Sequence, residues 1–240
     1  MNSVLKRTAI VTGGGTGIGR AVAEELITAG FSVVITGRRR GVLTTTAEEI
    51  GAAVLDFDVT KPAQIEAALA ELPATVHVLV NNAGGNTDIG AEAVTTLAGL
   101  RDSWLANFES NVIGAVLLTN AVADRIAASG RVINISSIAA RKGVDGYGAA
   151  KAAIETWTIQ LARELGPRGI TVNAIAPGLI EDTDFFGGAL SEEHRTAIIE
   201  HTATKRAGFP KDVAAVAGFL AGERSGHVTG QVIPVDGGAE

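Results

Sequence analysis

Short apolar runs alternate along this chain with longer, alanine-rich stretches. The runs fall at Thr8 to Val11, Phe31 to Ile35, Val54 to Phe57, Val76 to Val80, Arg131 to Ile135, Thr171 to Ile175 and Gln231 to Val235. Most are continuously apolar, the pattern of strands buried on both faces. The strand–helix–strand order predicts an α/β fold, a doubly wound parallel sheet of about seven strands with helices on both faces. No internal repeat, charged tail or Pro/Gly/Ser linker divides residues 1–240, so a single domain is expected.

Composition narrows the function classes. A chain of 240 residues, 46% hydrophobic and 19% charged, suits one domain with a sizeable core. A formal net charge of −6 argues against nucleic acid or an anionic membrane as partner. With no cysteine there is no disulfide framework or thiolate nucleophile, and the four histidines are too scattered for a metal site. No apolar run approaches a membrane span. The segment MNSVLKRTAIV passes almost directly into a strand, leaving no room for a signal peptide, so the expected location is the cytoplasm.

The first turn carries candidate chemistry. In TAIVTGGGTGIGRAVAEELITAG, Gly13, Gly17 and Gly19 form a T-G-x-x-x-G-x-G pattern between a strand and a helix. Glycines there let main-chain amides approach a pyrophosphate at a helix N-terminus. After the second strand the chain reads VVITGRRR, with no acid nearby. A carboxylate at that point would take the ribose hydroxyls of NAD, whereas arginine suits the 2′-phosphate of NADP. NADP(H) is therefore favoured over NAD(H), with Arg38 as main contact and Arg39 second. Asp58 has two readings, an acceptor for the adenine amino group or the N-cap of a helix starting near Lys61-Pro62.

Six motifs in order strengthen this picture: TGGGTGIG, NNAG (Asn81 to Gly84), NVIG from Asn111, NISS (Asn134 to Ser137), YGAAK (Tyr147 to Lys151) and APG (Ala176 to Gly178). Together they resemble the short-chain dehydrogenases/reductases across essentially the whole chain. The likeness is strongest to the 3-oxoacyl-carrier-protein reductase-like branch. It implies a Rossmann-type domain, a nicotinamide cofactor, hydride transfer between a carbonyl and an alcohol, and a homotetramer or else a homodimer. By resemblance Tyr147 is the acid/base, Lys151 its activating lysine, Ser137 the residue orienting the carbonyl, and Asn111 the holder of a relay water. Gly15, Thr16 and Ile18 join the glycine turn on the cofactor, Val59 follows Asp58, and Asn82, Ala83 and Gly84 border the adenosine half. Pro177, Gly178 and Ile180 flank the nicotinamide, and Thr183 contacts its carboxamide. The ten positions from Ser137 to Tyr147 are a few fewer than is common in the family, which keeps Ser136 as a second candidate. Thr183 stands one position later than the usual pattern.

Elementary chemistry is consistent with these roles. Residues at i and i+4 share a helix face, so Lys151 reaches the cleft that Tyr147 faces. A neighbouring cation is expected to lower the tyrosine pKa from its ordinary value near 10. Gly148, Ala149 and Ala150 leave room for a ribose. Ser137 can donate to a carbonyl oxygen, and an amide at Asn111 can hold water between Lys151 and solvent. The alternatives are an NAD-dependent sugar, polyol or steroid dehydrogenase, or a regulator that binds nucleotide without catalysis.

The substrate itself is not spelled out beyond a small carbonyl or alcohol, acyl thioesters included. The substrate-loop region is expected over residues 180–206, with Gly187-Gly188 as hinge and Phe185, Phe186 and Leu190 closing over an apolar ligand or else packing in the core. Trp104 either lines the cleft or packs in the core, the core being the safer reading. Arg125, Arg131, Arg141 and Lys142 are candidates for a carrier or phosphate contact. Apolar positions around much of KAAIETWTIQLARELG suggest contact with another subunit.

Overall fold

The computed structural model describes residues 7–239. The sequence reading of the extreme N-terminus therefore falls largely outside the described residues. Seven strands are present among them: β1 (Thr8–Thr12), β2 (Ser32–Gly37), β3 (Ala53–Asp56), β4 (Val76–Asn81), β5 (Ile126–Ile135), β6 (Thr171–Pro177) and β7 (Val232–Val235). The α-helices are α1 (Gly17–Thr28), α2 (Arg40–Ile50), α3 (Pro62–Ala68), α4 (Leu97–Phe108), α5 (Gly114–Val122), α6 (Ala139–Lys142), α7 (Gly146–Leu165), α8 (Glu192–His201) and α9 (Pro210–Ala221). All strand pairs are parallel, in the order β3-β2-β1-β4-β5-β6-β7.

Continuously apolar strands produce two cores. Along β1, Ala9 and Val11 face the layer that holds Val22 and Leu26 of α1 and Val213 and Leu220 of α9. Ile10, between them, faces the opposite layer with Leu118 of α5 and Leu161 and Leu165 of α7. Alternate side chains of a strand point to opposite faces, so a strand covered on both sides must be apolar throughout. The strand order reverses between β1 and β4. That is the switch point where the carboxyl ends of a doubly wound sheet open a ligand crevice.

A linked chain of polar residues crosses this interior. The Asn81 Nδ2 donates to Thr119 Oγ1 and to Asn134 Oδ1, each at 2.9 Å. The Asn134 Nδ2 donates to Thr158 Oγ1 at 2.8 Å, and that hydroxyl donates to the Ile154 carbonyl at 2.8 Å. Paired groups avoid the penalty of unsatisfied burial. The chain ties β4 through β5 to α7 beneath the crevice.

Two differences from the sequence expectation are local. The fifth strand begins at Ile126, five residues before the expected Arg131, because Ile126 pairs with Val76 before the register shifts at Val76/Val78. The intervening Ala127 to Gly130 carry no apolar run, and Ser129 takes φ 60. The helix near Lys61-Pro62 has Lys61 as its N-cap, not Asp58. The Asp58 Oδ1 instead accepts from the Thr60 amide and hydroxyl, both at 2.9 Å, and shapes the turn ahead of the helix.

Candidate active site

The crevice floor is set by the turn after β1. Gly13 has φ 64, and a Cβ on Gly19 would lie 2.2 Å from the Gly13 carbonyl and 2.4 Å from Asn82 Nδ2. Asn82 Nδ2 donates to the Thr12 carbonyl at 2.8 Å and to the Gly13 carbonyl at 3.2 Å. From the other side Thr46 Oγ1 donates to the Gly15 carbonyl at 2.7 Å. Thr16 is the N-cap of α1 without a side-chain cap bond, and the first-turn amides, including those of Gly17, Ile18 and Gly19, have no intrahelical acceptor. Such an end suits a pyrophosphate. Thr12 was not singled out from sequence. Its Oγ1 accepts from both the Asn82 and Ala83 amides at 2.9 Å, and its place as the last strand residue before Gly13 was the available signal.

At the end of β2, Arg38 to Arg40 divide. Arg39 Nη2 stands 3.5 Å from Asp184 Oδ2, and Arg40 Nη1 lies 3.1 Å from Asp56 Oδ1. Among the described residues Arg38 makes no ion pair, and it is exposed. A partnerless guanidinium at that position fits the 2′-phosphate of NADP, so the cradle and its charge agree on the group expected there.

The chemistry-bearing side chains sit on α7. Asp145 caps this helix, its Oδ1 accepting from the Gly148 amide at 2.7 Å. Buried positions then recur at Tyr147, Lys151, Ile154, Thr158, Leu161 and Leu165, one continuous face. Tyr147 is 7% exposed and Lys151 4% exposed. The Lys151 Nζ lies 5.6 Å from the Tyr147 ring centroid and donates to the Ile135 carbonyl at 2.9 Å. Burial pushes the Lys151 ammonium down to about 8. Burial likewise pushes the Tyr147 phenol up to about 12, against the smaller downward pull of its hydrogen bond with Ser137. This corrects the expectation of a lowered tyrosine: loss of hydration outweighs any nearby positive charge.

The two serines part company. Ser136 is 2% exposed, and its Oγ donates to Glu155 Oε1 at 3.0 Å, away from Tyr147. Ser137 lies beside Tyr147, and its Oγ accepts from the Ala139 amide at 3.1 Å. Asn111 is 3% exposed, within a π-helical turn over Glu109–Ile113 that interrupts the run from α4 to α5. Its Nδ2 donates to the Gly85 carbonyl at 2.8 Å, and its Oδ1 accepts from the Gly85 amide at 3.0 Å. The side-chain amide is thus tied to the loop after β4. Gly84, at φ +149, is required by this contact, since a Cβ there would lie 2.5 Å from Asn111 Oδ1.

The remaining positions surround the same crevice. Pro177 and Gly178 end β6, and a Cβ on Gly178 would come within 2.9 Å of Asp236 Cα. Ile180 is buried and bridges to Gly208. Thr183 packs on the glycine turn, its Cγ2 3.3 Å from where a Gly17 Cβ would be. Val59 is buried against Gly114 and offers the crevice no side chain. Phe185 packs on Tyr147 at a tilt of 54° with centroids 5.7 Å apart, and Phe186 meets Phe185 edge-on at 4.9 Å. Gly187 and Gly188, at φ 53 and 84, follow directly in left-handed backbone. Arg125 and Arg131 bond main-chain carbonyls at the amino-terminal ends of strands, so of the four basic candidates only Arg141 and Lys142 flank the site. Trp104 corrects the core reading. It is 39% exposed and lines an open cleft of about 360 Å³ with Val94, Leu100 and Val144, because α4 turns this side outward. Among the described residues no group of His, Cys, Asp or Glu is placed to hold a metal, and no helix is long and apolar enough to cross a membrane.

Similarity to known proteins agrees with this geometry. A family model described as enoyl-(acyl carrier protein) reductase matches residues 13–240. The 3-oxoacyl-[acyl-carrier-protein] reductase of Salmonella typhimurium is 36% identical over 243 residues, spanning 97% of this chain and 96% of that protein. A short-chain type dehydrogenase/reductase from Mycobacterium ulcerans superposes with a TM-score of 0.86 at 33% identity, covering 97% of this chain and 89% of that one. A blue fluorescent protein from a metagenomic library, solved in complex with NADPH, superposes at 0.84 and 32% identity, covering 97% of both chains.

The lid over the phenol is directly testable. Tyr147 is the single tyrosine, so tyrosinate absorbance reports it alone. Phe185→Ala is expected to admit water and bring the titration at least about one unit back toward the ordinary value near 10. An unchanged titration contradicts the shielding by Phe185.

Proposed function

As this chain belongs to the short-chain dehydrogenase/reductase family, in its 3-oxoacyl-[acyl-carrier-protein] reductase-like branch, we propose that it works as an NADP(H)-dependent carbonyl reductase with Tyr147 as its proton donor. The observation that carries this reading is the burial of Tyr147 and Lys151 on one face of α7, with the lysine Nζ 5.6 Å from the tyrosine ring centroid. Burial raises the phenol, so Tyr147 holds its proton at neutral pH and has one to give. NADP(H) supplies the hydride to the carbonyl carbon. Tyr147 then delivers its proton to the carbonyl oxygen, and the carbonyl becomes a secondary alcohol. Ser137, beside Tyr147, donates to the same oxygen and orients it. Lys151, mostly charged at pH 7 with a value of about 8, stabilises the phenolate left behind. Asn111 enters the relay that reprotonates Tyr147 through its main chain at the π-helical turn, its side chain being committed to Gly85.

For the cofactor, Arg38 takes the 2′-phosphate, Arg39 stands behind it, and the amides from Gly13 to Gly19 take the pyrophosphate. Asp58 and Asn82 to Gly84 border the adenosine, while Pro177, Gly178, Ile180 and Thr183 border the nicotinamide. The substrate loop spans residues 180–206. Phe185 and Phe186 give it an apolar wall beside Tyr147, which suits an acyl or other apolar ketone, 3-oxoacyl thioesters included. Homotetrameric assembly in the cytoplasm completes the reading, supported by exposed Leu97, Leu100, Trp104 and Leu105 on α4.

Two substitutions test it in assays of NADPH consumption with a panel of ketones and 3-oxoacyl thioesters. Tyr147→Phe should lower turnover by at least about 10²-fold while the NADPH dissociation constant stays within about twofold. Retained turnover contradicts the acid role. Arg38→Ala should weaken NADPH by about tenfold or more and leave NADH nearly unaffected, since hydrogen bonds to charged groups are worth about 1.5–3 kcal/mol. An unaltered ratio of the two cofactors contradicts the phosphate contact.

A further inference from the structure

Three consecutive residues at the end of β5 each meet a different rung of α7. The Ile135 carbonyl accepts from Lys151 Nζ at 2.9 Å, Ser136 Oγ donates to Glu155 Oε1 at 3.0 Å, and the Ser137 hydroxyl lies near enough to Tyr147 to pull its phenol downward. Tyr147, Lys151 and Glu155 are spaced four apart on one helix face, so the strand end lies along the helix like a short ladder. The chemistry described so far uses only two of these rungs. Glu155, with its side chain 14% exposed, has no part in it.

Glu155 also reaches past the serine. Its Oε2 lies 3.8 Å from Arg141 Nε, on α6. One carboxylate therefore grips the chain one residue before Ser137 and again four residues after it. The short connection leaves little slack between these points. A Cβ on Gly148 would stand 2.7 Å from the Ala139 carbonyl, and one on Gly143 would stand 3.1 Å from Gly148 Cα, so α6 rests directly on α7. The main chain has a separate hold on the other side. The Ser136 amide donates to the Ile175 carbonyl at 2.7 Å, and the Ile138 amide to the Pro177 carbonyl at 3.1 Å. The strand end thus keeps its path without Glu155, while Lys151 on the Ile135 carbonyl and Glu155 on Ser136 tie it to the helix.

We propose that Glu155 is a positioning residue, which sets the Ser137 hydroxyl against Tyr147 by holding Ser136 and Arg141 to α7. This rests on the reading of Ser137 and Tyr147 as the groups that handle the carbonyl. A partly buried carboxylate accepting a hydroxyl hydrogen bond is a strong and directional tether. A displacement of about 1 Å at a reacting group can lower a rate by about 10²-fold.

The test uses the full chain with NADPH and acetoacetyl-CoA, with a crystal structure of each variant. Glu155→Ala should lower kcat by about ten- to a hundredfold, with NADPH affinity and the thermal midpoint near those of the parent. The primary isotope effect with deuterated NADPH should rise, because hydride and proton transfer become limiting. Glu155→Gln keeps an acceptor for Ser136 and should recover most of the rate. Ser136→Ala should lower kcat in the same direction, and combining it with Glu155→Ala should add little. In crystals of Glu155→Ala the Ser137 hydroxyl should stand away from Tyr147. An unmoved Ser137, or a fall in thermal midpoint without a change in isotope effect, overturns the proposal. Ser137→Ala separates the two levels. If it leaves kcat intact, the reading of the site fails; if it abolishes turnover while Glu155→Ala does not, only the Glu155 proposal fails.

Discussion

Taking a tyrosine and a lysine out of water on one face of α7 is the constraint on which the site depends. Burial drives each toward its neutral form: the phenol to about 12, with the Asp145 carboxylate adding a smaller push, and the ammonium to about 8. The fold holds them there with ordinary packing. Ile154, Leu161 and Leu165 seat the helix against the sheet, Asp145 sets its start, and Phe185 closes the exposed end. Protonation state follows from burial: Tyr147 keeps its proton at neutral pH, available to a carbonyl oxygen.

The parallel sheet makes this arrangement possible. Every strand ends at the same edge, so the glycine turn after β1, the Asn82–Gly84 segment after β4, the serines after β5 and Pro177-Gly178 after β6 meet around one crevice. Close approach is secured by absent side chains, since Gly19 and Gly84 each stand where a Cβ would collide. Beneath them the buried Asn81–Asn134–Thr158 chain links the sheet to α7, so that the helix and the strand ends are fixed in one frame.

Much of this was legible in the sequence, for identifiable reasons. Strands buried on both faces announce themselves as apolar runs, and the glycine pattern followed by three arginines marks a phosphate site. The start of β5 was not legible, because small and polar residues from Ala127 to Gly130 break its apolar signal where the register shifts. Trp104 stayed between cleft and core because an aromatic side chain carries no mark of which way its helix faces. Asn111 was found, yet its side-chain partner Gly85 lies 26 positions away and only the fold reveals it. The raised tyrosine was missed because a charge is visible in sequence and desolvation is not. Glu155 could have been found, since it extends the four-residue spacing of Tyr147 and Lys151 by one more turn.

The most direct test of this account is the pH dependence of kcat for carbonyl reduction with saturating NADPH. Lys151 has a lowered value, so its charge is present below about 8 and is lost as pH rises through it, while Tyr147 stays a phenol until about 12. The rate should be level between pH 6 and 7 and fall above about 8, with that fall absent in Lys151→Met, whose rate is low throughout. A reduction rate that rises between pH 8 and 10 would contradict a buried phenol backed by a titrating lysine.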